Sequence, residues 1–511
     1  MFHKFCRMQI ILVTLSLLFF VPAFSGYAAV TSSTISLDSW VYPALDKLSG
    51  FGLINSSLAG SRPYSRLEAA RQVQEAALLI EDIAVPPVAL ELLQRLETEL
   101  AVSLTELEDD GAVTGYLKPV RQLRADYIYQ DGDSSHYPPT NARQFALNTN
   151  NSGIDYDEHH NGQLTLQGDG RIGSSLGFEW QPLLLSNSSD DLDVKWLTTR
   201  VALGLGAFEV SVGRQSLNWG QGYNGTLLLT NNAKPLDMVR INNPSPILLP
   251  WVFKYLGPFH FDVFWSRLEK DRVVSEPYFA GMRFNMKPLP WVEFGATRTV
   301  MFGGDGRPDV DFDDFITILG GKNLDGDEDN SNSIASIDMR IYLPFLWGAE
   351  IYGEFGGEDE ANHLFSSTAG LVGVYLPQVE PTGRLSLRLE YADFPKDNAW
   401  YRHGSYQSGY TYENHIMGHH VGGAAKDYFV EAQLLLRRDL QLTLGFDYQK
   451  RGYDRPEKEE HYQSSAEVTW WMNENITFEV LGSLDQTENF DFVSDNNPDF
   501  YYSRFSMIYS W

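Results

Sequence analysis

Residues 475–485 read Asn-Ile-Thr-Phe-Glu-Val-Leu-Gly-Ser-Leu-Asp, and the last stretch, 501–511, reads Tyr-Tyr-Ser-Arg-Phe-Ser-Met-Ile-Tyr-Ser-Trp. In the first, Ile476, Phe478, Val480, Gly482 and Leu484 alternate with Asn475, Thr477, Glu479, Ser483 and Asp485. In the second, Phe505, Met507, Tyr509 and Trp511 stand two apart. A period of two sends one set to one face of a strand and the other set to the opposite face. A soluble sandwich also alternates, with its polar face in water. Here the polar face is charged over runs of about ten residues, the length of a tilted membrane strand with a wet lumen.

The same period runs upstream. Leu442, Leu444, Phe446 and Tyr448 alternate with Gln441, Thr443, Asp447 and Gln449, and Leu385, Leu387, Leu389 and Tyr391 with Arg384, Ser386, Arg388 and Glu390. Tight turns at Arg438-Asp439, Asn473-Glu474, Gly257-Pro258 and 287–290 alternate with long polar loops. Eighteen candidate strands result, from 114–129 to 501–511, with the sixth placed at 247–256. The expected fold class is an all-β transmembrane barrel of about 18 antiparallel strands with an N-terminal helical plug. An open edge in lipid would leave backbone groups unpaired, so the sheet has to close. A terminal aromatic on the last strand is the pattern that barrel assembly machinery reads, so that machinery and outer-membrane lipid are expected partners.

The N-terminal part differs. Lys4 and Arg7 precede an apolar run from Met8 to Phe24, and Gly26-Tyr27-Ala28 offers small residues for cleavage, so 1–28 reads as a secretory signal peptide. The single cysteine, Cys6, falls inside it, leaving no disulfide and no thiolate chemistry beyond. Residues 29–113 read as a helical plug or periplasmic cap, with 114–511 as the barrel. Leu37, Val41, Leu45 and Leu48 take helical spacing. Ser65-Arg66-Leu67-Glu68 is a capping box, and Pro87 opens a third helix to about Leu107. Amphipathic helices need a surface, and the barrel mouth is the nearest. A free polymer-binding module is the alternative, since Trp40-Val41-Tyr42 through Gly60 and Arg66-Leu67-Glu68 has some likeness to a surface-layer-homology repeat.

The formal net charge is −28, and the expected signal carries only Lys4 and Arg7. This argues against nucleic acid, whose binding rewards cations.

At 213–235 the chain reads Gly-Arg-Gln-Ser-Leu-Asn-Trp-Gly-Gln-Gly-Tyr-Asn-Gly-Thr-Leu-Leu-Leu-Thr-Asn-Asn-Ala-Lys-Pro. This resembles the capsule assembly protein family Wzi, with its W-G-P-G and S-L-x-L-S-N-N-A-x-P signature. Asp338-Met339-Arg340, Gly357-Glu358-Asp359, Gly418-His419-His420 and Gly60-Ser61-Arg62-Pro63 match as well, while Gln221 stands where the family tends to have proline. The resemblance implies an eighteen-stranded plugged barrel in the cell outer membrane that holds surface polysaccharide. The rival reading is a porin-type channel for small solutes or sugars, and the plug discriminates between them.

Candidate polysaccharide-binding residues are Arg214, Asn218, Trp219, Gln221, Tyr223, Asn224, Asn231 and Asn232. Aromatic faces stack on sugars and amides pair with hydroxyls; the competing reading is a folded-in loop whose amides satisfy turns. Arg214 is expected on a lumen face. His159-His160 and His415, His419 and His420 sit in Gly-rich loops without carboxylate spacing, so neither a metal site nor a cofactor is expected. Asp325–Asp329 has a calcium-loop composition, but Asn330 stands where Gly is needed and Ser336 where Glu is needed, so only loose divalent binding is expected there. No His-Glu-x-x-His motif occurs, and the chain is not expected to be an enzyme.

The nine long loops hold 35 Asp and Glu against 13 Lys and Arg, a rim that would repel an acidic polymer. Either the polymer is neutral, or divalent cations bridge it at Asp309–Asp314 and Asp325–Asp329.

Overall fold

The computed structural model describes residues 30–108, 115–138, 140–187, 192–307, 310, 331–358, 367–396 and 400–511, with the backbone of 360–361 and 364–365. The expected signal peptide and the bridging stretches at Asp309–Asp314 and Asp325–Asp329 lie outside them, apart from Val310.

Eighteen antiparallel strands close a barrel. They are β1 (Tyr116–Asp131), β2 (His159–Ile172), β3 (Leu176–Ser186), β4 (Leu192–Leu205), β5 (Phe208–Gln215), β6 (Leu236–Asn242), β7 (Pro258–Arg267), β8 (Tyr278–Leu289) and β9 (Val292–Phe302). The circuit continues with β10 (Ser331–Leu343), β11 (Ala349–Glu358), β12 (Thr368–Leu376), β13 (Leu385–Asp393), β14 (Ala425–Arg437), β15 (Leu440–Arg451), β16 (Glu459–Trp471), β17 (Ile476–Glu488) and β18 (Asp499–Ser510). β18 pairs with both β17 and β1, so the C-terminal aromatics sit in the closing seam. Short turns gather at one end and long loops at the other, which places the long-loop end outside the cell.

The alternation works as read. On β4, Val201, Leu203 and Leu205 face lipid while Arg200 and Ala202 are buried in the lumen. On β13, Ser386, Arg388 and Glu390 point inward.

The sixth strand is the correction. Residues 251–256, expected as strand, form a short 3-10 helix, and β6 lies upstream, continued by Ile247–Leu248. Pro244, Pro246 and Pro250 supply no backbone N–H, so a ladder cannot run through them. Asn243 mends the gap by accepting from the Phe261 N–H at 2.7 Å. The helix exposes Trp251, Val252, Phe253 and Tyr255 at the short-turn end, where an aromatic girdle belongs. The strand total is unchanged because β6 replaces the misplaced one.

Four helices form their own apolar core: α1 (Val41–Gly50), α2 (Arg66–Leu79), α3 (Pro87–Glu99) and α4 (Ala101–Glu108). Ser65 caps α2 by accepting from the Glu68 N–H at 3.1 Å, the first half of the expected box. The expected third helix breaks at Leu100, whose backbone leaves helical geometry. Ion pairs fix the bundle to the wall at the short-turn end: Glu91 to Arg384 and Glu106 to Arg171, each at 2.6 Å. Arg95 lies over the Trp471 ring, 3.9 Å from its centroid.

Candidate functional site: the loop that closes the lumen

Between β5 and β6 the chain does not rise outward. Loop 216–235 turns down into the barrel, where Asn218 and Trp219 pair with Arg62 and Ser61 in a two-residue antiparallel ladder. The Gly220 N–H adds a bond to Gly60 O at 2.9 Å. A segment entering from outside thus meets the N-terminal segment entering from the other mouth.

Two lumen carboxylates seat it. Glu354 on β11 accepts from the backbone N–H groups of Gln221, Gly222 and Leu227 at 2.7, 2.8 and 3.0 Å. Glu390 on β13 accepts from those of Tyr223 and Asn224 at 2.6 and 2.8 Å, and from the Tyr352 hydroxyl at 2.6 Å. Successive N–H groups curled round an anion make a nest. The glycines let the backbone come this close. A Cβ on Gly220 would lie 2.3 Å from Glu354 Oε1, and one on Gly222 would lie 1.9 Å from Gly225 O.

The side chains complete the seat. Gln221 donates to Glu293 and Asp338 at 3.0 and 2.8 Å and accepts from Arg340 at 2.8 Å. A proline there, as the family resemblance leads one to expect, could not donate its N–H to Glu354. The Trp219 indole donates to Asp262 at 3.3 Å, and Asp262 is held by two bonds from Arg240. Tyr223 lies under the Arg388 guanidinium, 4.0 Å from its ring centroid. Arg388 also reaches Asp46 of α1 at 3.6 Å. Burial raises the Asp46 carboxyl, but the guanidinium groups of Arg62, Arg388 and Arg340 outweigh it and hold the group below the usual range.

The expected binding residues fall into three places. Trp219, Gln221 and Asn232 are buried. Asn232 donates to Gln144 and to Ile416 O at 2.8 and 2.9 Å, joining loop 132–158 to loop 400–424. Asn218, Tyr223, Asn224 and Asn231 are half-buried and line a lumen cavity of about 1530 Å³ that reaches the short turns at 472–475. Arg214 departs from expectation. The period of two runs unbroken through β5, where Glu209, Ser211 and Gln215 are buried, so Arg214 falls in the outward series with Val212 and pairs with Asp237 at 2.6 Å.

The outer end is one dome. Leu217, Leu227 and Leu228 pack with Tyr401, Tyr406, Tyr410, Ile416 and Met417 in a single apolar cluster. These tyrosines lie within the stretch Trp400–Tyr412, and their rings face inward. Polar groups make the roof: Asn141, Arg143, Arg402, Gln407 and Asn414 are exposed. The Asn141 N–H donates to Ser408 O at 3.2 Å and that of Arg143 to Asn414 O at 3.1 Å, so two loops share this surface. The rim is less uniformly acidic than its sequence total: Lys234 pairs with Glu413, Lys426 with Asp393 and Lys450 with Glu460.

No Gly-x-Ser-x-Gly motif is expected from the sequence reading, yet one is present. Gly173-Ser174-Ser175-Leu176-Gly177 has the spacing of a serine-nucleophile elbow. It is the short β2–β3 turn rather than the strand-to-helix turn such an elbow needs.

These features define a class: an eighteen-stranded outer-membrane barrel that holds its own loop in the lumen against its N-terminal segment. The chain belongs to the capsule assembly protein Wzi family, whose model matches residues 138–500. A Klebsiella pneumoniae protein described as an uncharacterized 55.8 kDa protein in the cps region is 26% identical over 354 residues. That match takes in 68% of this chain and 63% of the Klebsiella protein's length, less than two thirds of it. A solved structure described as Wzi, an outer membrane protein involved in group 1 capsule assembly in Escherichia coli and a carbohydrate-binding β-barrel, superposes with a TM-score of 0.72. It is 18% identical and covers 94% of this chain and 100% of its own, a likeness of fold.

Proposed function

We propose that this protein binds and organises surface polysaccharide, capsular or exopolysaccharide, at the outer face of the membrane and does not conduct it. The observation that carries this reading is loop 216–235, seated on Glu354 and Glu390 and joined to the N-terminal segment in mid-barrel. A conducting porin keeps its lumen open. The family supports the polysaccharide partner, as does the description of the solved structure as a carbohydrate-binding β-barrel. Polymer contact belongs on the polar roof, at Asn141, Arg143, Arg402, Gln407 and Asn414, while Trp219 and Gln221 hold that roof in place from below.

The test is retention of polysaccharide by cells and by purified protein. Arg143→Ala with Arg402→Ala should lower retention several-fold while heat-modifiable migration on gels stays normal. Large, steady conductance of the intact protein in planar bilayers, with retention unaffected by its deletion, would instead establish the porin reading.

A further inference from the structure

Beneath the dome, loop 400–424 lowers His420 onto the inner faces of β14 and β15. There it meets Asp427, Asp447 and Gln449, and all four residues are more than nine-tenths buried. Among the described residues, neither carboxylate has an arginine or lysine within 4.0 Å; the one basic partner is His420.

The spacings do not suit direct hydrogen bonds. His420 Nε2 stands 3.4 Å from Asp427 Oδ2 and 3.7 Å from Asp447 Oδ2. A charged N–H and a carboxylate left to themselves close to about 2.7–2.9 Å. The Gln449 amide presents its nitrogen to His420 Nε2 at 3.2 Å and to Asp447 Oδ2 at 3.1 Å. With both carboxyls ionised, neither protonation state of the imidazole satisfies all of this. With a proton on Nε2, two N–H donors face each other. Without it, a lone pair faces two carboxylates. Gln449 Oε1, Asp447 Oδ1 and His420 Nδ1 are buried without a hydrogen-bond partner among the described residues.

One exchange resolves the mismatch. The two ends of an amide are interchangeable by rotation. Turned round, Gln449 Oε1 joins His420 Nε2, Asp427 Oδ2 and Asp447 Oδ2 as a fourth donor. Ligands at about 2.0–2.1 Å from a tetrahedral ion lie about 3.3–3.4 Å from one another. The four measured edges, 3.1, 3.2, 3.4 and 3.7 Å, bracket that value. Two carboxylates, a neutral imidazole and a divalent ion also sum to zero charge, whereas without the ion an imidazolium is balanced only when the carboxyl pair holds a proton of its own.

We propose that His420, Asp427, Asp447 and the Gln449 amide oxygen form a tetrahedral site for a divalent transition metal, Zn²⁺ by its mixture of nitrogen and oxygen donors. Asn224 of the lumen loop supports it from outside, its amide 3.2 Å from Asp447 Oδ2 and 3.4 Å from Asp427 Oδ2. The ion thereby pins loop 400–424 and loop 216–235 to one point on the wall. His419 stacks on His420 with centroids 4.7 Å apart, and its Nδ1 accepts from the Val421 N–H. The sequence hides the site because its donors come from one loop and two strands.

The test loads purified, detergent-folded full-length protein with Zn²⁺, desalts it and counts metal by elemental analysis. One ion per chain is expected. His420→Ala and Gln449→Leu should each lose it, and Gln449→Glu should keep it. Asp131→Asn should also keep it, although Asp131, Glu158 and His159 lie within ligand reach of one another at the exposed rim. Heat-modifiable migration checks folding, and Gln449→Leu stands alone if His420→Ala does not fold. Co²⁺ in place of Zn²⁺ should give the intense visible bands of a tetrahedral centre. A wild type that carries no ion above the buffer blank overturns the proposal. So does an ion that survives Gln449→Leu, or a Co²⁺ spectrum of octahedral type.

Discussion

The two halves of the lumen are built from the same kind of strand and end differently. Between β8 and β13 the interior is full. Arg283 and Asp338 pair at 2.7 Å with neither side chain exposed, and Glu293, Arg340, Glu354 and Glu390 are all engaged by the lumen loop or the N-terminal segment. Between β15 and β1 the interior remains a cavity, and its charges pair across the wall: Arg124 with Glu479 at 2.8 Å and Arg504 with Glu467 at 3.3 Å. Alternation alone does not decide which half is filled. Glu354 and Glu390 of the full half face consecutive backbone N–H donors, while Glu479 and Glu467 of the other half face arginine.

The largest effect expected on this contrast comes from Gly222→Val. Its side chain has no room beside Gly225 O, so the lumen loop should leave its seat. Single-channel recording should then show conductance where the wild type shows little, and polysaccharide retention should fall about tenfold. A silent, fully retaining variant would mean that the loop does not close the lumen.

Next comes Asp338→Asn, which strands the Arg283 charge. Breaking a buried pair costs about 3–5 kcal/mol. In the cavity half, Glu479→Gln should cost less, because Arg124 keeps its bonds to Asp126 and Ser506. Urea midpoints of heat-modifiable migration compare the two, and equal losses would break the contrast. Trp219→Ala should cost about 3–5 kcal/mol by leaving a void against Phe264. Retention should weaken only as far as stability does, because this ring lies below the surface.

The smallest effect is on acidity. The Asp46 carboxyl is held below the usual range, so its stabilising contribution is present above an ordinary Asp pKa of 3.8 and is lost as pH falls below it. Proteolysis of α1 in the folded protein should accelerate only below about pH 4. Acceleration between pH 5 and 7 would point to another group.

Much of the barrel was legible because one period of two governs both lipid-facing and lumen-facing residues. Glu390 could be placed inward from Leu385–Tyr391 alone. The misplaced sixth strand shows the limit. Residues 251–256 have strand-like residues, and only the three upstream prolines argue against pairing there. Arg214 was expected in the lumen, although the parity of Glu209, Ser211 and Gln215 puts it on the outward face. The lumen loop was marked by its glycines and aromatics, but its anchors Glu354 and Glu390 lie far along the chain, and no local signal joins them to Gly222. The His420 cluster was unreadable for the same reason.

The two-residue ladder between Ser61–Arg62 and Asn218–Trp219 also has a mechanical meaning. It runs across the middle of the molecule rather than around its wall. A tug on the outer dome is borne by backbone hydrogen bonds loaded in shear and passes through Gly60 and Arg62 to the helices at the opposite mouth. The cylinder around it shares that load, because the same loop leaves β5 and β6 and sits on Glu354 and Glu390 of the wall, so the two sides of the membrane are tethered by a strut braced against its sleeve.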